Sequence, residues 1–134
     1  MSTNNSAWRW MTAAVLAHLV VSIGHGAAHD GAHVPLSPAA NLFVFIVILA
    51  GPLAGLGLTW WSGRIGAWVV ATTMAGSLVF GLVNHFVFDS PDHVAQVAPE
   101  WRSLFATTAV LLVVTEGLGS VLAIRVARGR KHAS

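Results

Sequence analysis

His25, His29 and His33 recur at every fourth residue in the stretch His25-Gly-Ala-Ala-His29-Asp30-Gly-Ala-His33, and His18 precedes the first of them by seven. On a helix of about 3.6 residues per turn these steps return to nearly the same face, so His18, Ser22, His25, His29 and His33 form one stripe if the helix runs that far. Two imidazoles one turn apart project side by side and can share a metal cation. A second polar cluster, Asn84, His85, Asp89, Asp92 and His93, ends the third apolar segment, and His85 with Asp89 repeats the four-residue step. Imidazole combined with carboxylate suits zinc, copper or iron, whereas oxygen donors alone would suit magnesium or calcium. The expected metal ligands are therefore His25, His29, His33, His85, Asp89 and His93. Asp30 and Asp92 are further carboxylates, either as ligands or as acceptors that orient the imidazoles. The implied cofactor is a transition metal ion, with haem b held by His25 or His29 and by His85 as the alternative.

The elements that must position these residues follow from composition. The chain is 55% hydrophobic and 9% charged, against about 25% charged in a soluble domain. That shortfall points to the lipid bilayer as the main partner. The absence of cysteine excludes disulfides, thiolate ligands and thiol nucleophiles. The basic residues sit at segment ends, a membrane-topology pattern that argues against a nucleic-acid partner. Four apolar segments, about 8–30, 39–61, 65–88 and 103–124, each exceed the roughly 20 residues needed to cross a bilayer. The expected fold is all-α: a single-domain integral membrane protein, an antiparallel bundle of four transmembrane helices with short loops. Met11 to Ala28 also has the outline of a signal peptide, but is expected to be a retained span.

Local signals mark the boundaries. Trp8-Arg9-Trp10, Trp60-Trp61 and Trp101 are interfacial anchors. Ser37 and Pro38 read as the N-cap and first position of the second helix. Gly51-Pro52 should kink that helix, and Gly51, Gly55 and Gly57 form a small-residue face. Gly51, Gly55, Gly76 and Gly81 would suit contact with a second copy or with a membrane complex. With four spans, Arg9, Arg64, Arg125, Arg128, Arg130 and Lys131 fall on one side and only Arg102 on the other. The positive-inside rule then makes both termini cytoplasmic. The expected location is the plasma membrane, a bacterial inner membrane, with the histidine-bearing loops facing periplasm or exterior.

Depth separates the polar residues into two layers. At about 1.5 Å rise per residue, His18 and Glu116 both lie roughly 18 Å below the outer boundary, near the midplane. An ionised carboxylate there costs about 2.5–3.5 kcal/mol on insertion scales. Glu116 must therefore pair, hold a proton, or face a polar pocket; His18 is level with it, and Ser22, Thr108, Thr115 and Ser120 are the hydroxyls that could line such a pocket. Glu116 and His18 are the candidate catalytic residues, as a proton relay to the outer histidines.

The His-x-x-x-His spacing of His25 and His29 resembles one box of the membrane di-iron desaturases and hydroxylases. Those proteins also carry His-x-x-His-His boxes, which this chain lacks, and are much longer, so the resemblance does not bring their activity with it. Histidines on two helices of a four-helix bundle resemble the b-type cytochrome membrane anchors, an analogy of architecture. Three functions follow. The first is a membrane protein with an outward-facing transition-metal site, acting as a metal-dependent enzyme on a lipid or hydrophobic substrate or handling the metal itself. The second is electron transfer through haem, and the third a structural subunit of a larger membrane complex. Whether the chain is an enzyme is left open by the residues alone.

Overall fold

The computed structural model describes residues 3–129, with side chains from residue 6 onward. The basic tail residues Arg130, Lys131 and His132 lie outside the described residues. Among the described residues the structure is all-helical, with four helices long and apolar enough to cross a membrane. These are α1 (Thr3–Gly31), α2 (Pro38–Leu58), α3 (Gly63–Val87) and α4 (Pro99–Gly129). Both α1 and α4 outrun the apolar segments expected from hydropathy. Hydropathy marks only where a helix is greasy. The polar residues before Trp8 and the Arg125–Gly129 turn continue the helical backbone without adding apolar character, and Pro99 starts α4 with its φ already set for a helix.

The second helix begins as its sequence indicates. Ser37 is extended, and its hydroxyl accepts a hydrogen bond from the Ala40 N–H at 3.1 Å, with Pro38 in the first turn. The irregularity expected at Gly51-Pro52 takes the form of a π-helical stretch, Val44–Ala50, just before the proline, and the Gly51 N–H bonds the Ile46 carbonyl five residues back. Proline has no N–H to give, so the carbonyl four residues earlier, that of Ile48, loses its usual partner. A second π turn, Val83–Val87, ends α3.

The first helix packs along the fourth, the fourth along the third and the third along the second, while α1 and α2 hardly touch. Glycine allows the tight α2–α3 pairing. A Cβ at Gly66 would collide with the Thr59 backbone nitrogen and lie 2.5 Å from the Gly55 carbonyl oxygen, and a Cβ at Gly55 would lie 2.8 Å from the Val70 nitrogen. Because these neighbours are backbone, they cannot rotate aside. Gly66→Ala is expected to destabilise the protein by about 1–3 kcal/mol, the usual cost of overpacking, read as a lower unfolding midpoint in detergent. Of the glycines expected to offer a surface to a partner, Gly51 and Gly55 meet Thr73 and Val70, Gly76 faces Val47, and Gly81 faces His85 and Glu116.

Two apolar cores bracket a polar band. One, toward the chain termini, contains Met11, Val15, Val70, Met74, Ala123 and Val126. The other, toward the loops, contains Ala28, Val97 and Phe105, with the Trp101 ring lying on Gly31. Between them are buried His18, His25, Ser77, His85 and Glu116. The outward surface is apolar, with Val20, Ile23, Phe45 and Val79 exposed, the inverse of a soluble bundle.

Candidate metal centre

His25 and His29 stand one turn apart near the end of α1, and His85 comes from the π turn that closes α3. Each offers a ring nitrogen, and the three nitrogens lie within 4.8 Å of one another. His25 and His85 are buried and His29 is half-buried. Their hydrogen-bond partners assign the tautomers. The Thr108 hydroxyl donates to the Leu104 carbonyl at 2.8 Å, so its oxygen is free to accept from His25 Nδ1, also at 2.8 Å. His85 Nδ1 donates to the Asp92 carbonyl at 3.2 Å, and His29 Nδ1 points to the Val34 carbonyl at 3.5 Å. With the protons on Nδ1, the Nε2 atoms of His25 and His85 carry lone pairs, while His29 Nε2 faces the Asp92 carboxylate at 3.2 Å. His25 Nε2 and His85 Nε2 face each other at 3.1 Å. Two lone pairs at that distance repel unless a cation lies between them. Nitrogens bonded to a tetrahedral metal at about 2.0–2.1 Å sit roughly 3.3 Å apart.

A buried carboxylate completes the cluster. Asp92 Oδ1 lies 3.2 Å from His29 Nε2 and 3.1 Å from His85 Nδ1, yet it makes no aligned hydrogen bond. Its position is set by a loop that folds back on α3, held by the Val94 N–H on the His85 carbonyl at 3.0 Å. Phe105 walls the site, with its ring centroid 4.7, 4.8 and 5.3 Å from those of His25, His29 and His85. Neither this aromatic wall nor the pairing of Thr108 with His25 follows from spacing, since both come from α4.

Three residues expected as ligands are placed elsewhere. Asp89 is exposed and accepts from the Gln96 side chain at 2.9 Å. The helix ends at Val87 in a π turn, which breaks the four-residue register from His85, so Asp92 takes the place expected of Asp89. His93 turns into its own loop and accepts the Ala95 N–H at 3.1 Å. His33 lies past the end of α1 with φ 53°, exposed, while the Val34 N–H closes on the His29 carbonyl at 3.0 Å. That is the left-handed residue of a helix C-cap, a position that favours glycine. His33→Gly is therefore expected to stabilise by up to about 1 kcal/mol with metal uptake unchanged, checked by thermal unfolding and metal analysis on one preparation.

The deeper layer is a separate arrangement. His18 Nε2 donates to the Ile48 carbonyl at 3.0 Å, the acceptor that Pro52 leaves without its helical N–H. His18 Nδ1 then faces Glu116 Oε1 at 3.7 Å, while Glu116 Oε2 is buried without a partner. Ser22 lies 3.5 Å from His18 Nε2. The other hydroxyls expected around Glu116 are engaged elsewhere: Thr115 bonds the Leu111 carbonyl, Ser120 the backbone carbonyl of Glu116, and Thr108 belongs to His25. A cavity of about 680 Å³ joins the two layers, with His25, His29, His85 and Asp92 at one end and Ser77 and Glu116 at the other.

Comparison with protein-family models, with curated proteins and with solved structures gives no match.

Proposed function

We propose that this chain is a small multi-pass membrane protein that holds one transition metal ion, zinc, copper or iron, through His25, His29 and His85. The observation that carries the reading is the convergence of ring nitrogens from His25, His29 and His85 within 4.8 Å of one another, with the Nε2 atoms of His25 and His85 3.1 Å apart. Asp92 supplies either a fourth ligand through its carboxylate, 3.2 Å from His29 Nε2, or the backbone carbonyl that keeps His85 oriented. All-nitrogen plus carboxylate donors favour borderline ions over magnesium or calcium. A haem reading is less well supported. A macrocycle between His25 and His85 would need the space beside them, where the His29 and Phe105 rings stand 4.8 and 4.7 Å from His25.

The excess of arginine at the terminal end supports a plasma-membrane protein whose site faces the periplasm or exterior. A bound ion of this class polarises an oxygen-containing molecule or activates a water. The chain's own contribution is to fix the imidazole tautomers, exclude bulk water with Phe105, and keep Glu116 and His18 below as groups that can hold and pass a proton. Both the enzyme and the metal-handling versions begin from that ion. The test is elemental mass spectrometry of detergent-purified protein, with an absorption spectrum of the same sample. Near-stoichiometric zinc, copper or iron is expected. Protein that remains metal-free after incubation with each of the three ions overturns the reading, and a Soret band would put haem in its place.

A further inference from the structure

The cavity has features that a metal centre alone does not require. It continues from the histidines down to Glu116, which is 2% exposed and presents Oε2 without any hydrogen-bond partner. The other face of this carboxyl is already turned to His18. Gly81 keeps the passage open. A Cβ there would stand 3.9 Å from the His85 ring and 4.0 Å from Glu116 Oε2, so the helix α3 gives up a side chain at the one level that lies between the two polar groups. The cavity walls are apolar, from Val44, Ile48, Phe80 and Leu112. Ile23 of α1, which is 72% exposed on the apolar perimeter, and Val44 and Ile48 of α2 line the same cavity, so it lies between those two helices.

We propose that this chamber binds a lipid-soluble molecule with an apolar body and an oxygen headgroup, a hydroxyl or a carbonyl, that enters from the bilayer between α1 and α2. Glu116 Oε2 is the headgroup's hydrogen-bonding partner. As a neutral acid it can donate to a carbonyl, and in either state it can accept from a hydroxyl. The apolar walls take the body, as in other ligand sites where a few polar groups orient a largely hydrophobic molecule. Because Ile23 both lines the chamber and is exposed on the apolar perimeter, entry beside it would let an occupant partition from hydrocarbon without crossing water. The inference builds on the proposed metal centre, because it names the class of molecule delivered beside that ion.

The same chemistry is carried by long-chain alcohols and by alkyl quinones, and two probes separate them. Diazirine-bearing hexadecanol and a diazirine-bearing alkyl benzoquinone are photolysed with the full chain in lipid nanodiscs, and labelled residues are mapped by mass spectrometry. Saturable labelling of the buried Ser77 and Leu112 by either probe is expected, with competition by the same compound lacking the diazirine. Labelling of the exposed Val79 and Leu118 should be unsaturable, as for bulk lipid. Gly81→Leu fills the passage and abolishes labelling of Ser77 and Leu112 only. Glu116→Leu lowers the affinity of the oxygenated probe by roughly threefold to tenfold, the loss of one neutral hydrogen bond, and leaves a diazirine alkane unaffected. Labelling confined to the perimeter, or chamber labelling insensitive to both substitutions, overturns the inference. Metal content is measured on the same samples. Metal-loaded protein with an unlabelled chamber sinks this inference alone, whereas a labelled chamber in protein that takes up no metal sinks the metal reading alone.

Discussion

His85→Ala is expected to lower the affinity of the proposed site for a divalent transition metal by more than about 100-fold, and Thr108→Val to lower it by about 10- to 100-fold. The first substitution removes one of the three converging nitrogens and leaves two imidazoles from a single helix. The second leaves every nitrogen in place and keeps the side-chain shape. It removes only the oxygen that accepts from His25 Nδ1 at 2.8 Å. Without that acceptor His25 loses the bond that holds its proton on Nδ1, and the ring can present Nε2–H to the site. Partners of this kind typically account for one to two decades of affinity, and a ligand itself for more. Competition against a chromophoric chelator reads both constants, and circular dichroism checks that helix content is unchanged. Equal affinity in wild type and Thr108→Val would show that the tautomers are not set as described. Unchanged binding in His85→Ala would remove α3 from the site.

The second large effect is on stability. His18→Leu costs about 1–3 kcal/mol, because it strips the buried Ile48 carbonyl of its donor. Membrane hydrogen bonds measured singly average only about 0.6 kcal/mol, since most lost partners are replaced. Here replacement is blocked, because the N–H that would normally serve Ile48 is absent at Pro52. Pro52→Ala restores that N–H. The cost of His18→Leu should then fall by about 1 kcal/mol or more in the Pro52→Ala background, a coupling within the usual range for directly interacting residues. The second consequence of His18→Leu, a Glu116 carboxyl left facing leucine, is common to both backgrounds and cancels in the cycle. Unfolding free energies from denaturant titration in detergent supply the four corners. Equal costs in the two backgrounds would mean that His18 does not stand in for the missing proline N–H.

What the chain's order of residues determined by itself is local. Apolar length marks four helices, because a bilayer-length run of hydrophobic side chains has few other solutions. Ser37 and Pro38 mark a helix start through a hydroxyl acceptor and a preset φ. The four-residue step brings His25 beside His29, and counting rise along two helices puts His18 level with Glu116. Tertiary structure decided everything that depends on how helices end and on what returns across space. Asp92, not Asp89, reaches the histidines because α3 finishes in a π turn and the following loop is pulled back by the Val94 N–H on the His85 carbonyl. His33 leaves the stripe because α1 stops at Gly31 and needs a left-handed residue after it. The orientations of the three histidines rest on Thr108 and on two loop carbonyls, at least five residues distant in sequence from the rings they contact. The cavity lies between α1 and α2 because α1 packs mainly on α4 and α2 mainly on α3, so the first two helices meet closely only at points such as His18 on the Ile48 carbonyl. Periodicity and caps are properties of a few neighbouring residues, whereas a binding site is closed by hydrogen bonds and packing between residues that become neighbours only on folding.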